Sequence, residues 1–287
     1  MESVTQCDLL SWVEDAPQGQ KEFRETVHLI LVAITKDPDL RNMMVMKGGI
    51  LMALRYRSER FTKDLDFSTG LKREECDPED LVKKLAQQLA LAVEELDYNL
   101  DCRVQSYQVR PSNQPQARFP SMCLKIGHAY KGTSKHNRLL ENKSPSVVSI
   151  DFSLNEETFN LERLEVGEGS IIQVYAYADL VAEKIRALLQ QEMRNRYRRQ
   201  DIFDLKLLLE RRPQQREQEK ILQSLIDKAA SRDIKANSES FSNPEIKRRA
   251  KEQYGTLADE LEDPLPDFEE SYADIERFYR GLPWGGN

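Results

Sequence analysis

The segment Arg60-Phe61-Thr62-Lys63-Asp64-Leu65-Asp66-Phe67 carries the densest set of reactive side chains in the chain. Its alternation predicts a strand, with Arg60, Thr62, Asp64 and Asp66 on one face and Phe61, Leu65 and Phe67 on the other. Two carboxylates two residues apart on a strand have Cα atoms about 6.6–7 Å apart. Their oxygens can lean together onto one or two divalent ions about 3.5–4 Å apart, the spacing of two-metal phosphoryl-transfer sites. A solvated strand face would carry the same tripeptide, so its neighbours must decide. Upstream, Lys47-Gly48-Gly49 reads as a turn into a helix, where free backbone N–H groups can seat phosphate oxygens. Lys47, Gly48, Gly49, Arg60 and Thr62 are therefore the candidate nucleotide contacts.

A third carboxylate is expected on a neighbouring strand, and Val147-Val148-Ser149-Ile150-Asp151-Phe152-Ser153 offers Asp151. An acid within an apolar strand is costly to bury without a cation or hydrogen bonds. In a polymerase-type site it would hold metal and take a proton from the attacking hydroxyl; on a sheet edge it would merely be solvated. Farther on, Leu180, Val181, Ile185, Ala187, Leu188 and Leu189 sweep one broad helical arc. Lys184 falls inside that arc, whereas Glu183, Arg186 and Gln190 face away. A lysine on a buried face must snorkel, pair with an acid or meet an anion such as a nucleotide phosphate. Asp201 and Asp204 lie beside the line of Leu205 and Leu208, either as an N-cap (Asp201) and a first-turn acid (Asp204), or with one of them pairing with Lys184 or Arg199 to orient the site.

The elements needed to position these groups follow from periodicity and punctuation. A helix is predicted over 20–36 from Phe23, Val27, Ile30, Leu31 and Ile34, ended by Asp37-Pro38. Short helices or strands surround the Gly pair, and Pro78 to Leu96 reads as a helix. Strands are expected at Val104 to Val109, Ser121 to Ile126, Val147 to Leu154 and Ile171 to Tyr175, with Pro111, Pro115 and Pro120 marking a loop between the first two. From Ala178 onward the pattern is helical. The division expected is a domain at 1–170, with an N-terminal helix and an α/β core, and a helical domain at 171–287. The aromatics of the acidic C-terminal stretch (Phe268, Tyr272, Phe278, Tyr279) have the spacing of packed core.

Composition excludes several classes. A chain of 287 residues that is 39% hydrophobic and 32% charged is neither collagen-like nor largely disordered. No apolar run approaches the 18 or so residues of a membrane span, and Met1-Glu2-Ser3-Val4-Thr5 lacks the features of a secretion signal. A cytoplasmic protein is expected. The four cysteines and three histidines show no zinc spacing, so a metal would be held by carboxylates, which suits Mg²⁺ or Mn²⁺. The net charge of −7 is uneven: 103–143 has eight basic residues against one acid, 184–216 has ten against four, and 259–276 has nine acids and no base. Two basic stretches beside a carboxylate site favour a phosphate-rich partner, with Arg194, Arg196, Arg198 and Arg199 as candidate RNA contacts.

Taken in order, Lys47-Gly48-Gly49, Arg60-x-Thr62-x-Asp64-x-Asp66, Asp151, Glu183-Lys184-x-x-Ala187 and Arg199-Gln200-Asp201-x-x-Asp204 resemble the AbiEii/AbiGii-type nucleotidyltransferases of abortive-infection and toxin–antitoxin systems. The resemblance covers roughly residues 40–210. It implies an α+β fold with a polymerase-β-like nucleotidyltransferase core and an all-helical C-terminal lobe. It also implies a nucleoside triphosphate donor, Mg²⁺, transfer of nucleotides to tRNA 3′ ends that blocks translation, and a cognate antitoxin. By the same pattern Asp64 and Asp66 would bind metal, Lys184 would contact the triphosphate and Asp201 would complete the site. Two other readings keep the fold: transfer to a protein or small-molecule hydroxyl, and a non-catalytic RNA-binding module.

Overall fold

The computed structural model describes residues 4–114, 116–167 and 169–285, so Met1-Glu2-Ser3, Pro115, Glu168, Gly286 and Asn287 lie outside it. The chain divides into two compact units, 1–55 with 62–174, and 56–61 with 175–287. The boundary expected at 170/171 falls just ahead of a strand that stays with the first unit up to Val174.

In the first unit the elements run β1 (Val4–Gln6), α1 (Leu9–Glu14), α2 (Lys21–Lys36), α3 (Pro38–Met43), β2 (Val45–Lys47), α4 (Gly48–Tyr56), β3 (Asp64–Ser68), α5 (Pro78–Glu95), β4 (Leu100–Arg110), β5 (Ser121–Tyr130), α6 (Ser134–Leu140), β6 (Val147–Ser153), β7 (Leu161–Glu165) and β8 (Ile171–Tyr175). Asp37 separates α2 from α3 by accepting from the backbone N–H groups of Asp39 and Leu40, and Pro38 takes the first helical position. Helix α5 starts the same way at Asp77-Pro78 and buries the stripe Leu81, Leu85, Leu89 and Ala92. Helix α2 is buried on nearly every side from Glu25 to Thr35, more than its amphipathic pattern predicts.

The strands of this unit form one mixed sheet in the order β1-β7-β8-β2-β3-β6-β5-β4. β3 runs parallel to β6 and antiparallel to β2, while β5 is antiparallel to both β6 and β4. One face is apolar: Leu65, Phe67, Met122, Leu124, Ile150 and Phe152 are buried on it. Each such side chain contributes roughly 1.5–3 kcal/mol by leaving water. The other face carries the polar residues at the alternate positions.

The expected strand from Arg60 to Phe67 is shorter, starting only at Asp64. Its first two residues belong to the second unit, where the Phe61 N–H donates to the Glu260 carbonyl at 3.1 Å and Arg60 pairs with acids of that unit. Alternation alone could not show that these backbone groups find partners elsewhere.

The second unit contains α7 (Tyr177–Leu189), α8 (Arg199–Leu209), α9 (Gln215–Ser231), α10 (Pro244–Lys251) and α11 (Phe268–Arg280). Leu180, Ile185, Leu188, Ile202, Leu205, Leu208, Ile221 and Leu225 form its core. Phe268, Tyr272 and Tyr279 are buried and ring-packed with Phe241 and Tyr254, whereas Phe278 is half-buried. The acidic stretch is partly answered within the unit by Lys206–Asp274 at 2.5 Å and by Lys247 and Lys251, each 2.6 Å from Glu269.

Candidate functional site

The polar sheet face gathers the acids by register. In the parallel β3–β6 ladder Asp66 is the partner of Asp151 and Asp64 the partner of Ser149, so all three carboxylates project from the same face. Asp64 is exposed, and Asp66 and Asp151 are half-buried. One strand farther, Cys123 is the partner of Asp151, and burial followed by that carboxylate pushes its thiol up.

The Gly pair shapes the opposite flank. Gly48 begins α4 with φ +73°, and a Cβ there would stand 2.0 Å from Asp66 Oδ2. Only glycine combines that backbone conformation with so close a carboxylate. A Cβ on Gly49 would already meet the Thr62 side chain at 2.9 Å, so Thr62 lies over the first turn of the same helix. Lys47 is the β2 partner of Asp66 and is buried, with Nζ 2.7 Å from Glu156 Oε2. Sequence reasoning missed Glu156. A lysine in a buried strand demands a counter-charge, but nothing in Asn155-Glu156-Glu157 marks the partner, 109 residues away.

The donors on this face are hard carboxylate oxygens, which suit Mg²⁺ or Mn²⁺, and the missing Cβ of Gly48 leaves space beside Asp66. In type and facing they fit a divalent ion. Among the described residues, however, no three His, Cys, Asp or Glu side chains converge closely enough to form a ready-made ligand set.

The second unit holds its own ion cluster. Lys184 Nζ lies 2.5 Å from Asp204 Oδ2 and 3.4 Å from Asp201 Oδ1. Arg60 reaches Asp204 through Nε at 3.3 Å and Nη2 at 3.4 Å, a two-pronged contact. Burial alone would raise the Asp204 pKa, but Lys184 and Arg60 hold it below the ordinary carboxylate range. Burial likewise opposes the charge on Lys184, and Asp204 and Asp201 outweigh it, raising the ammonium pKa. Asp201 Oδ2 is buried and takes no hydrogen bond among the described residues; Arg198 Nε stands 3.9 Å away. The helical arc of α7 placed Lys184 on the buried side correctly, as the Leu205/Leu208 line did for Asp201 and Asp204. The arc misplaced Arg186 and Gln190, which are also buried and hydrogen-bonded to each other at 2.6 Å, because α7 is covered on more than one side. Arg198 stands at the N-cap of α8, and Asp201, the expected cap, lies in its first turn.

The four arginines do not act as one set. Arg194 and Arg196 are exposed, whereas Arg198 and Arg199 are half-buried, and Arg199 pairs with Glu260 at 3.0 Å. Arg60, expected on the acidic strand, sits instead in the segment that groups with the second unit.

A mixed sheet backed by helices on its apolar face, with acids in register on the other, followed by a helical lobe, is the architecture of an α+β nucleotidyltransferase. The chain belongs to the AbiEii family, nucleotidyl transferase toxins of Type IV toxin–antitoxin systems, whose family model matches residues 29–277. A crystal structure from H. pylori, provisionally named a nucleotidyltransferase, is similar with a TM-score of 0.48 and 13% identity, covering 93% of this chain and 96% of that one. No curated protein matches this chain.

Proposed function

We propose that this nucleotidyltransferase toxin is metal-dependent and transfers nucleotides from a nucleoside triphosphate to RNA, at the 3′ end of tRNA, and so blocks translation. The observation that carries the reading is the register of Asp66 with Asp151, which sets a third carboxylate beside the Asp64/Asp66 pair on one face. Asp64, Asp66 and Asp151 would hold Mg²⁺ or Mn²⁺. Bound there, the ion would neutralise phosphate charge and polarise the reacting phosphoryl group.

The chain's own groups do the rest. Backbone N–H groups at the start of α4, freed by Gly48 and Gly49, seat phosphate oxygens. Thr62 lies over that turn and offers a hydroxyl, and Lys47, held by Glu156, adds positive charge beside Asp66. Asp151 takes the proton of the attacking hydroxyl. As the resemblance implies, Lys184 is assigned to the triphosphate and Asp201 to completing the site; Arg194, Arg196, Arg198 and Arg199 are assigned to contacting RNA. The proposed setting is the cytoplasm, with a cognate antitoxin as partner. Among the described residues no helix is long and apolar enough to cross a membrane.

The test incubates purified protein with Mg²⁺, each of four α-labelled nucleoside triphosphates and total RNA, with Asp64→Ala and a chelator control alongside. Asp64 is exposed, so its removal spares the fold. Label in a tRNA-sized band, lost in the variant and with chelator, is the expected result. Transfer retained by Asp64→Ala would refute the assignment, and label on protein instead of RNA would redirect the acceptor.

A further inference from the structure

The sheet face that carries the acids continues onto β5 and β4, and there its charge changes sign. Following the ladders outward, Asp64 is opposite Ser149, which is opposite Lys125. Likewise Ser68 is opposite Ser153, Ser153 opposite Ser121, and Ser121 opposite Arg110. Between these two rows runs the row of Asp66, Asp151, Cys123 and Gln108. Lys125 and Arg110 thus flank the Asp151 row on either side, one strand and two strands beyond the acids. Lys125 is a diagonal neighbour of Asp151, a relation that puts Cα atoms about 7–8 Å apart.

Neither cation is committed to an acid. Lys125 Nζ donates to the neutral Ser149 hydroxyl at 2.6 Å, and Arg110 Nε lies 3.5 Å from the Gln108 amide oxygen. Among the described residues, neither forms an ion pair. Arg103 lies on the same face but is paired with Asp101 at 3.0 Å, so it is already answered. Both free cations also favour the thiolate of Cys123, which lies between them, although burial and Asp151 outweigh them. Lys125 is half-buried and Arg110 exposed, so an anionic ligand can reach both.

The order of groups across the face separates donor from acceptor. The Gly48-Gly49 turn, where a triphosphate would rest, adjoins β3 from the β2 side. The two cations lie on the other side of the acids, beyond Asp151, the group assigned to the attacking hydroxyl. We propose that Lys125 and Arg110 form a phosphate-binding strip for the backbone of a polynucleotide acceptor, holding it so that its terminal hydroxyl reaches Asp151. This rests on the reading of the β3–β6 acids as the transfer site. The ammonium serves as a point charge and the guanidinium as a planar fork for a second phosphate. The strip lies within the basic stretch 103–143 and is distinct from the arginines of 194–199.

Full-length protein is titrated without nucleotide into a fluorescent single-stranded RNA oligonucleotide and into unfractionated tRNA across a series of KCl concentrations. Wild type is compared with Lys125→Ala, Arg110→Ala, the double variant and Lys125→Arg, and binding of each nucleoside triphosphate is measured in parallel. For single strands each lost phosphate contact lowers the slope of log K against log salt by about 0.7, so the double variant should lose about 1.4. Lys125→Arg should keep the wild-type slope, and triphosphate binding should be unchanged. An unaltered RNA affinity and slope would overturn the proposal. So would a loss confined to triphosphate binding, which would assign the cations to the donor. Arg110 is exposed, so its variant reports even if Lys125→Ala fails to fold. Because binding is read without turnover, a protein that fails to transfer but shows these slope changes would sink the transfer reading and leave the strip standing.

Discussion

Gly48→Ala is the sharpest probe of the proposed site, because two separate costs fall on one methyl group. The first is conformational: at φ +73° a side chain costs about 1–2 kcal/mol. The second is positional. The new Cβ would stand 2.0 Å from Asp66 Oδ2, and real contacts of this kind essentially never fall under 3.0 Å, so the carboxylate must retreat by at least that difference of about 1 Å. A misplacement of that size at a reacting centre costs on the order of 10²-fold in rate. The expected result is a modest loss of stability by urea unfolding with a loss of roughly two decades in label transfer. Gly49→Ala is the matched control. Its Cβ would stand 2.9 Å from Thr62 Cβ and Cγ2, the root of a β-branched side chain, and near no carboxylate, so transfer should suffer less. A Gly48→Ala protein with the expected destabilisation and full transfer activity would refute the reasoning, since the position of Asp66 would then not matter to the chemistry.

Lys184→Met should destabilise the protein by about 3–5 kcal/mol, the usual cost of breaking a buried ion pair from one side, because Asp204 would keep only Arg60. The double variant Lys184→Met/Asp204→Leu should lose clearly less than the sum of the two single changes, as a double-mutant cycle in urea would show. Asp204 titrates below the ordinary carboxylate range when folded, so its contribution is complete at neutral pH and disappears as pH falls through its lowered folded pKa. Asp204→Asn should flatten the acid limb of stability against pH. Burial lowers His28 from its usual 6.5 to about 4, so the unfolded chain takes up the proton first. Its contribution is present above pH 6.5 and is lost on descent towards pH 4; His28→Phe should remove that part of the slope, and an unchanged slope would refute it.

Much of this architecture was legible because local rules and the global fold agreed. Asp37-Pro38 marked the end of α2 and Pro78 the start of α5, although α3, which begins at Pro38, was not foreseen, and alternation located β4, β5, β6 and β8. The order Gly-Gly, Asp64/Asp66, Asp151 pointed to the carboxylate face before any pairing was known. What escaped depended on distant partners. Arg60 read as part of the acidic strand because alternation cannot reveal that Asp204, 144 residues later, claims its side chain. Glu156 was invisible for the same reason, its role arising only from Lys47 across the fold. The short strands β1 and β7 gave no periodic signal, since three and five residues are too few to establish one. Arg186 and Gln190 were misread because one helical arc assumes one buried side.

The segment 56–61 also sets a timetable. It is made early, between two stretches of the first unit, yet its partners are made late: Asp204 on α8, and Glu260 beyond it. At about 5–20 residues per second, Arg60 waits roughly 7–29 s on the ribosome before Asp204 is even synthesised. During that interval Arg60 lacks the carboxylate that holds it in the folded chain. A nascent or prematurely terminated chain can therefore build most of the sheet without fixing the approach to its acidic strand. In this member of a toxin family, the ion cluster around Arg60 is therefore complete only once residues 204 and 260 have been made.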